Sequence, residues 1–193
     1  MKRYKTIDPC EILAPKPKPT EARRLMEEEI AEIFKYVENK PKEKALIHLF
    51  LSSGMRLAEV ASLSWEQIKR ATQIGNMYQV NIIGKGSKLR SVFPTVEAVN
   101  LCNAFKKASP DKVIWRPAQR IGRRIRQISK ALKIRFTPHT LRHTYLSHLV
   151  KKWADISRVQ KIAGHSSILT TQIYLHCFNK ELIETAKLIC DLV

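Results

Sequence analysis

The stretch Thr137-Pro138-His139-Thr140-Leu141-Arg142-His143-Thr144 decides how this chain is read. Threonine is a good helix cap, and proline is favoured at the first helical position because the N–H it lacks would have no intrahelical partner there. The pattern predicts a helix through about Val150, with Leu141, Tyr145 and Leu149 on one face. His139, Arg142 and His143 then crowd into its first turn or so. A lone helical histidine usually packs or caps, so the interest lies in the group rather than in any one member.

Working outward from that helix, Pro117 to Leu132 reads as another, with Ile121, Ile125 and Ile128 as an apolar stripe. Its other face carries Arg120, Arg123, Arg124, Arg126 and Lys130, placed to meet phosphates or to form a solvated surface. Pro94 and Thr95 lead into a helix through about Phe105. Before it, Tyr78, Val80 and Ile82 alternate with Gln79 and Asn81, a strand signal. Leu89 to Phe93 returns after Gly84-Lys85-Gly86-Ser87-Lys88, giving a β-hairpin with lysines at its tip. Leu57, Val60, Ala61 and Leu63 have helix-like spacing, and Ser64 with Gln67 forms a capping box. Pro41 opens a helix that runs to Ser53 and is closed by Gly54, and Thr20 to about Val37 forms one more. Downstream, Asp155 or Ser157 opens a short helix ended by Gly164. Ser166 or Ser167 starts the segment bearing Tyr174, and Asn179 caps a last helix, Lys180 to Leu192. The expected fold class is mainly α with a small antiparallel β-hairpin or sheet.

The chain's 193 residues suffice for one ordinary core. Residues 1–20 read as a basic tail or linker, because prolines alternate with lysines in Ala14-Pro15-Lys16-Pro17-Lys18-Pro19-Thr20 and favour an extended chain. Such a strap could lie along a DNA backbone or simply join two domains. The 35 Lys and Arg against 17 Asp and Glu leave a net charge of +18, which favours a polyanionic partner. Nucleic acid is the first candidate and an anionic membrane surface the second. No apolar signal core follows the basic start, and the apolar run Ala45 to Leu51 is too short to span a bilayer. Cys10, Cys102, Cys177 and Cys190 form no C-x-x-C pair and read as free thiols in a reducing, cytoplasmic setting. No metal or other cofactor is expected, since the Cys and His residues lack ligand spacing and no acidic cluster is evident.

Thr137 to Tyr174 is the dense region, holding His139, Arg142, His143, His165 and Tyr174. Breaking a DNA phosphodiester needs an in-line oxygen nucleophile, neutralisation of the non-bridging oxygens and a proton for the leaving oxygen. Arginines supply bidentate donors to such oxygens, and histidines move protons near neutrality. A tyrosine hydroxyl, with a free pKa of about 10, becomes a better nucleophile beside cations and a base.

Four separated pieces make the chain resemble the tyrosine recombinases, the lambda-type phage integrases, in their catalytic domain. These are Ser53-Gly54-Met55-Arg56-Leu57-Ala58-Glu59-Val60, the hairpin tip at 83–88, the His-x-x-Arg of Thr137 to Thr144, and Ala163-Gly164-His165 with Tyr174 nine residues beyond the histidine. The resemblance implies the catalytic-domain fold over 21–193 and a catalytic set of Arg56, Lys85, His139, Arg142, His165 and Tyr174. Arg56 and Arg142 would bind the phosphate, and Lys85, with Lys88 as its local rival, would protonate the leaving 5′ oxygen. His139 would be base or proton shuttle, His165 a donor to a non-bridging oxygen, and Tyr174 the nucleophile that forms a 3′-phosphotyrosyl bond. Lys88, Arg90, Arg120, Arg123, Arg124, Lys151 and Lys152 are the expected DNA contacts. The resemblance further implies double-stranded DNA as partner, a homotetramer on synapsed DNA with a monomer without DNA, no membrane, and a missing N-terminal core-binding domain ahead of the Pro/Lys linker. A C-terminal tail of about 179–193 would pack in its own protomer or be exchanged between protomers. Site-specific recombination is the expected activity; the alternatives are strand relaxation of the type IB topoisomerase kind and a DNA-binding regulator without catalysis.

Overall fold

A computed structural model describes residues 23–84, 89–114, 116–151 and 163. Within them the order is α1 (Glu27–Val37), α2 (Pro41–Ser53), α3 (Leu57–Ser62), α4 (Trp65–Lys69), β1 (Thr72–Ile74), β2 (Met77–Ile83), β3 (Leu89–Val92), α5 (Val96–Asn103), α6 (Ala118–Leu132) and α7 (Pro138–Lys151). The fold is mainly helical with one small antiparallel sheet, as expected. The tail at 1–20, the elements expected at 155–164 and 166–174, and the helix at 180–192 lie outside the described residues.

α2 is the central helix, with Ala45, Leu46, Ile47, Leu49 and Phe50 all buried. It packs against α1, α5 and α7. Pro41 stands at its first position, and Gly54 ends it in the left-handed region at φ 60°, where a Cβ is disfavoured. α6 buries Ile121, Ile125 and Ile128, the stripe its spacing predicts. Burying each such side chain contributes roughly 1.5–3 kcal/mol relative to leaving it in water.

α1 is shorter than expected, beginning at Glu27. The Glu29 carboxylate accepts from Met26 N–H at 2.9 Å and sets the helix start there. Ahead of it, Leu25 is buried and its N–H donates to Thr144 Oγ1 at 2.9 Å, which ties the entering chain to α7. The sheet has a strand that the hydrophobic pattern does not announce. β1 pairs antiparallel with β2, but all three of its residues are exposed, so no in–out alternation marks it. β2 and β3 pair as Val80↔Val92, Asn81↔Ser91, Ile82↔Arg90 and Ile83↔Leu89. That register puts Val80, Ile82, Arg90 and Val92 on the inner face.

α7 starts as predicted. Thr137 Oγ1 accepts from Thr140 N–H and Thr140 Oγ1 from Thr137 N–H, each at 3.2 Å. The turn before it is pinned by Ser129, whose hydroxyl donates to Ile134 O at 2.7 Å and accepts from Phe136 N–H at 3.1 Å. α7 buries more than one stripe: Thr140, Leu141, Arg142, Thr144, Leu146, Ser147 and Val150 are all covered.

Candidate active site

The ends of two helices make the site. Arg56 sits in extended backbone immediately before α3, and His139 and Arg142 lie in the first turns of α7. Together with Leu57, Ala58, Thr137 and Pro138 they line one cleft of about 410 Å³. A hollow of about 490 Å³ beside α5 is larger, but no basic side chain lines it. Chemistry rather than size therefore marks the candidate.

Arg142 is almost fully buried, yet its described bonds go to carbonyls. Nη1 donates to Gly54 O at 2.6 Å and Nη2 to Ala163 O at 2.5 Å. These two carbonyl dipoles fix the orientation of the guanidinium at the cleft. The C-terminus of α2 and residue 163 thus hold this arginine from positions 88 and 21 residues away.

Arg56 is held by Glu59. One carboxylate oxygen accepts from Arg56 N–H at 2.6 Å and the other from its Nη1 at 3.0 Å. Burial alone would push the Glu59 carboxyl up, but hydrogen bonds from Arg90 and from the Arg56 backbone outweigh it and hold the group below the usual carboxylate value. His139 is shifted down by burial first and then by the charges of Arg142 and Arg56, so it is neutral at physiological pH and able to accept a proton. His143 stacks edge-on against it at 4.2 Å between centroids. Tyr145, on the same helix, is a packing residue: burial raises its phenol above 10, against an opposing pull from Arg90.

Arg90 is a correction. The expectation puts it at the DNA surface, but its side chain is 7% exposed and its Nη2 is ion-paired with Glu59 at 2.7 Å. Strand alternation explains this, because Arg90 shares its face with buried Val92. The same period-two signal is present in Leu89-Arg90-Ser91-Val92. Arg120 and Arg123 are exposed on α6 and Lys151 at the end of α7. Arg124 is partly occupied by Glu43 on α2, at 2.5 Å. Lys85, Lys88, Lys152, His165 and Tyr174 lie outside the described residues. Glu59, and the carbonyls of Gly54 and Ala163, are the supporting groups that spacing alone does not assign. Among the described residues no three His, Cys, Asp or Glu side chains gather as a metal-holding group, and no helix is long and apolar enough to cross a membrane.

Mainly helical architecture, a three-stranded sheet and two arginines with a histidine at one cleft define the catalytic-domain class of the tyrosine recombinases. The sequence pattern of the phage integrase family matches residues 23–181, and the chain belongs to that family. Tyrosine recombinase XerC of Xanthomonas axonopodis pv. citri is 35% identical over 147 residues, covering 70% of this chain and 47% of that protein. The crystal structure of XerH recombinase in a post-cleavage complex with its palindromic difH substrate superposes with a TM-score of 0.71 at 23% identity, over 86% of this chain and 53% of that one. The catalytic domain of bacteriophage HP1 integrase superposes with a TM-score of 0.62 at 22% identity, over 81% of this chain and 88% of that one. The chain spans about half the length of the curated relatives it matches.

Proposed function

We propose that this chain is the cutting and rejoining domain of a site-specific DNA recombinase. The observation that carries the proposal is the convergence of Arg56, His139 and Arg142 on one cleft. In this reading the two arginines bind the non-bridging oxygens of a backbone phosphate. Tyr174 attacks the phosphorus, and His139, neutral at physiological pH, takes the phenolic proton. The bond to the 5′ oxygen breaks as the 3′-phosphotyrosyl bond forms, and Lys85 supplies the proton that the leaving oxygen needs. His165 donates to a non-bridging oxygen. The 5′ hydroxyl of a partner strand then reverses the chemistry and releases Tyr174, so the phosphoester is conserved without ATP.

The exposed Arg120 and Arg123 contact the duplex backbone and set affinity rather than sequence choice. Lys88, Arg124, Lys151 and Lys152 add to that surface. The domain extends over residues 21–193, with 1–20 as a basic strap. A core-binding unit on the far side of the duplex, a homotetramer on synapsed DNA, and a cytoplasmic, DNA-associated location belong to the same proposal.

A nicked duplex that lets the cut end diffuse away traps the intermediate. The expected result is a protein–DNA adduct that survives denaturation and is abolished by Tyr174→Phe, with duplex binding largely retained. Strand breakage without an adduct would overturn the mechanism, and exchange between two sites would establish recombination.

A further inference from the structure

Glu59 joins two arginines that are 34 positions apart in the chain, Arg56 and Arg90. Its Oε1 accepts from Arg56 Nη1 at 3.0 Å, and its Oε2 from Arg56 N–H at 2.6 Å and Arg90 Nη2 at 2.7 Å. The Arg90 and Glu59 side chains are 7% and 6% exposed, whereas Arg56 is 30% exposed and reaches the cleft. Arg90 is also the second residue of β3, the strand that follows the lysine-bearing stretch 85–88 in sequence.

We propose that Arg90 is a positioning residue for phosphate cleavage: it binds Glu59 so that Arg56 is held at the cleft while keeping its positive character. The inference rests on the reading of Arg56 as a phosphate-binding group.

An Arg56–Glu59 pair alone would be neutral, and a neutral pair attracts a phosphate poorly. Arg90 adds a second cation to the same carboxylate, so these three groups together carry a net positive charge with its accessible end at Arg56. The carboxylate meanwhile orients Arg56 through backbone and side chain together. Stability is a weak explanation for this arrangement, because a buried ion pair is commonly matched or exceeded by an apolar pair of similar volume. A direct DNA contact is a poor one, because the Arg90 side chain is covered. Positioning accounts for both the burial and the place beside the cleft.

The test uses the full chain and a nicked duplex spanning the cleavage position mapped from the unaltered protein's own adducts. Arg90→Met should slow adduct formation within the bound complex by roughly 10- to 100-fold, the scale of a misplaced catalytic group. Affinity for the duplex should stay within about threefold, since every phosphate-binding side chain is still present. Arg90→Lys should recover part of the rate. In an Arg56→Lys background Arg90→Met should add little further loss, because both changes act on one group. Substituting sulfur for the 5′ bridging oxygen, which relieves the need for a proton donor, should leave the Arg90→Met defect in place. Should Arg90→Met fail to fold, the double variant Glu59→Gln, Arg90→Met removes both buried charges and reports the same loss. Unaltered cleavage by either variant, full additivity with Arg56→Lys, or rescue by the sulfur substrate would each overturn the proposal. Absence of any Tyr174 adduct in the unaltered protein would instead overturn the recombinase reading, and this inference with it.

Discussion

The ring of Tyr145 on α7 lies directly against Gly54 at the end of α2. A β-carbon at position 54 would overlap Tyr145 Cδ1 and stand 2.7 Å from Cε1. The same glycine has φ 60° and presents its carbonyl to Arg142 Nη1 at 2.6 Å. One small residue therefore ends a helix, admits a ring and orients an arginine of the candidate site.

Gly54→Ala should accordingly fail twice, through strain at a left-handed position and through overlap with the ring. The expected cost is at least ~2–3 kcal/mol of stability, combining a left-handed penalty of about 1–2 kcal/mol with overpacking. Chemical denaturation would show it as a lower midpoint at unchanged slope. Trapped-adduct yield should fall further than the folded fraction, because the carbonyl that aims Arg142 moves too. An adduct yield that tracks the folded fraction would show that Gly54 serves only the fold.

His139 sets the pH behaviour. Its pKa is lowered from the ordinary 6.5, by burial and then by Arg142 and Arg56, and His48 is lowered as well, mainly by burial. For both, the unfolded chain takes up protons before the folded one does as pH falls. The contribution of these two histidines should therefore be constant above neutrality, decline below about pH 6.5 and be fully lost only beneath the lowered folded values. The adduct-forming rate, if His139 is the base, should persist to a pH below 6.5 before it drops. Melting temperatures and single-turnover rates between about pH 5 and 8 would check both; a rate already falling at neutral pH would contradict the base assignment.

Lys133 ends α6 with φ 56°, a left-handed conformation for a residue with a side chain. Lys133→Gly relieves that strain but increases the freedom of the unfolded chain. The net expectation is a gain of roughly 0.5–1 kcal/mol, read as a higher thermal midpoint. No change in adduct formation is expected, because Lys133 is not among the residues that line the cleft.

Arg123 is exposed on the basic face of α6. Arg123→Ala should weaken binding to any duplex to a similar degree. The slope of log K against log salt should become shallower by about 0.9, since one phosphate fewer is neutralised. Titrations at several salt concentrations would measure it. A weakening confined to one sequence would mean that Arg123 reads bases.

Much of this molecule was determined by local chemistry. Pro41 with Gly54, Ser64 with Gln67, Thr137 with Pro138, and the Ile121, Ile125 and Ile128 stripe fix their own elements, because caps and periodicity act within a few residues along the chain. The order of Arg56, His139 and Arg142 was equally legible in linear form. Tertiary packing decided the rest. β1 carries no inward side chain, and so exists only because β2 pairs with it. Strand alternation turns Arg90 inward, but what it meets there, a carboxylate from α3 that stands 31 positions earlier, is set by the packing. Arg142 is aimed by carbonyls 88 and 21 positions away. A buried charge takes its meaning from whatever surrounds it, and the distant groups that surround these charges are brought near only by the completed fold.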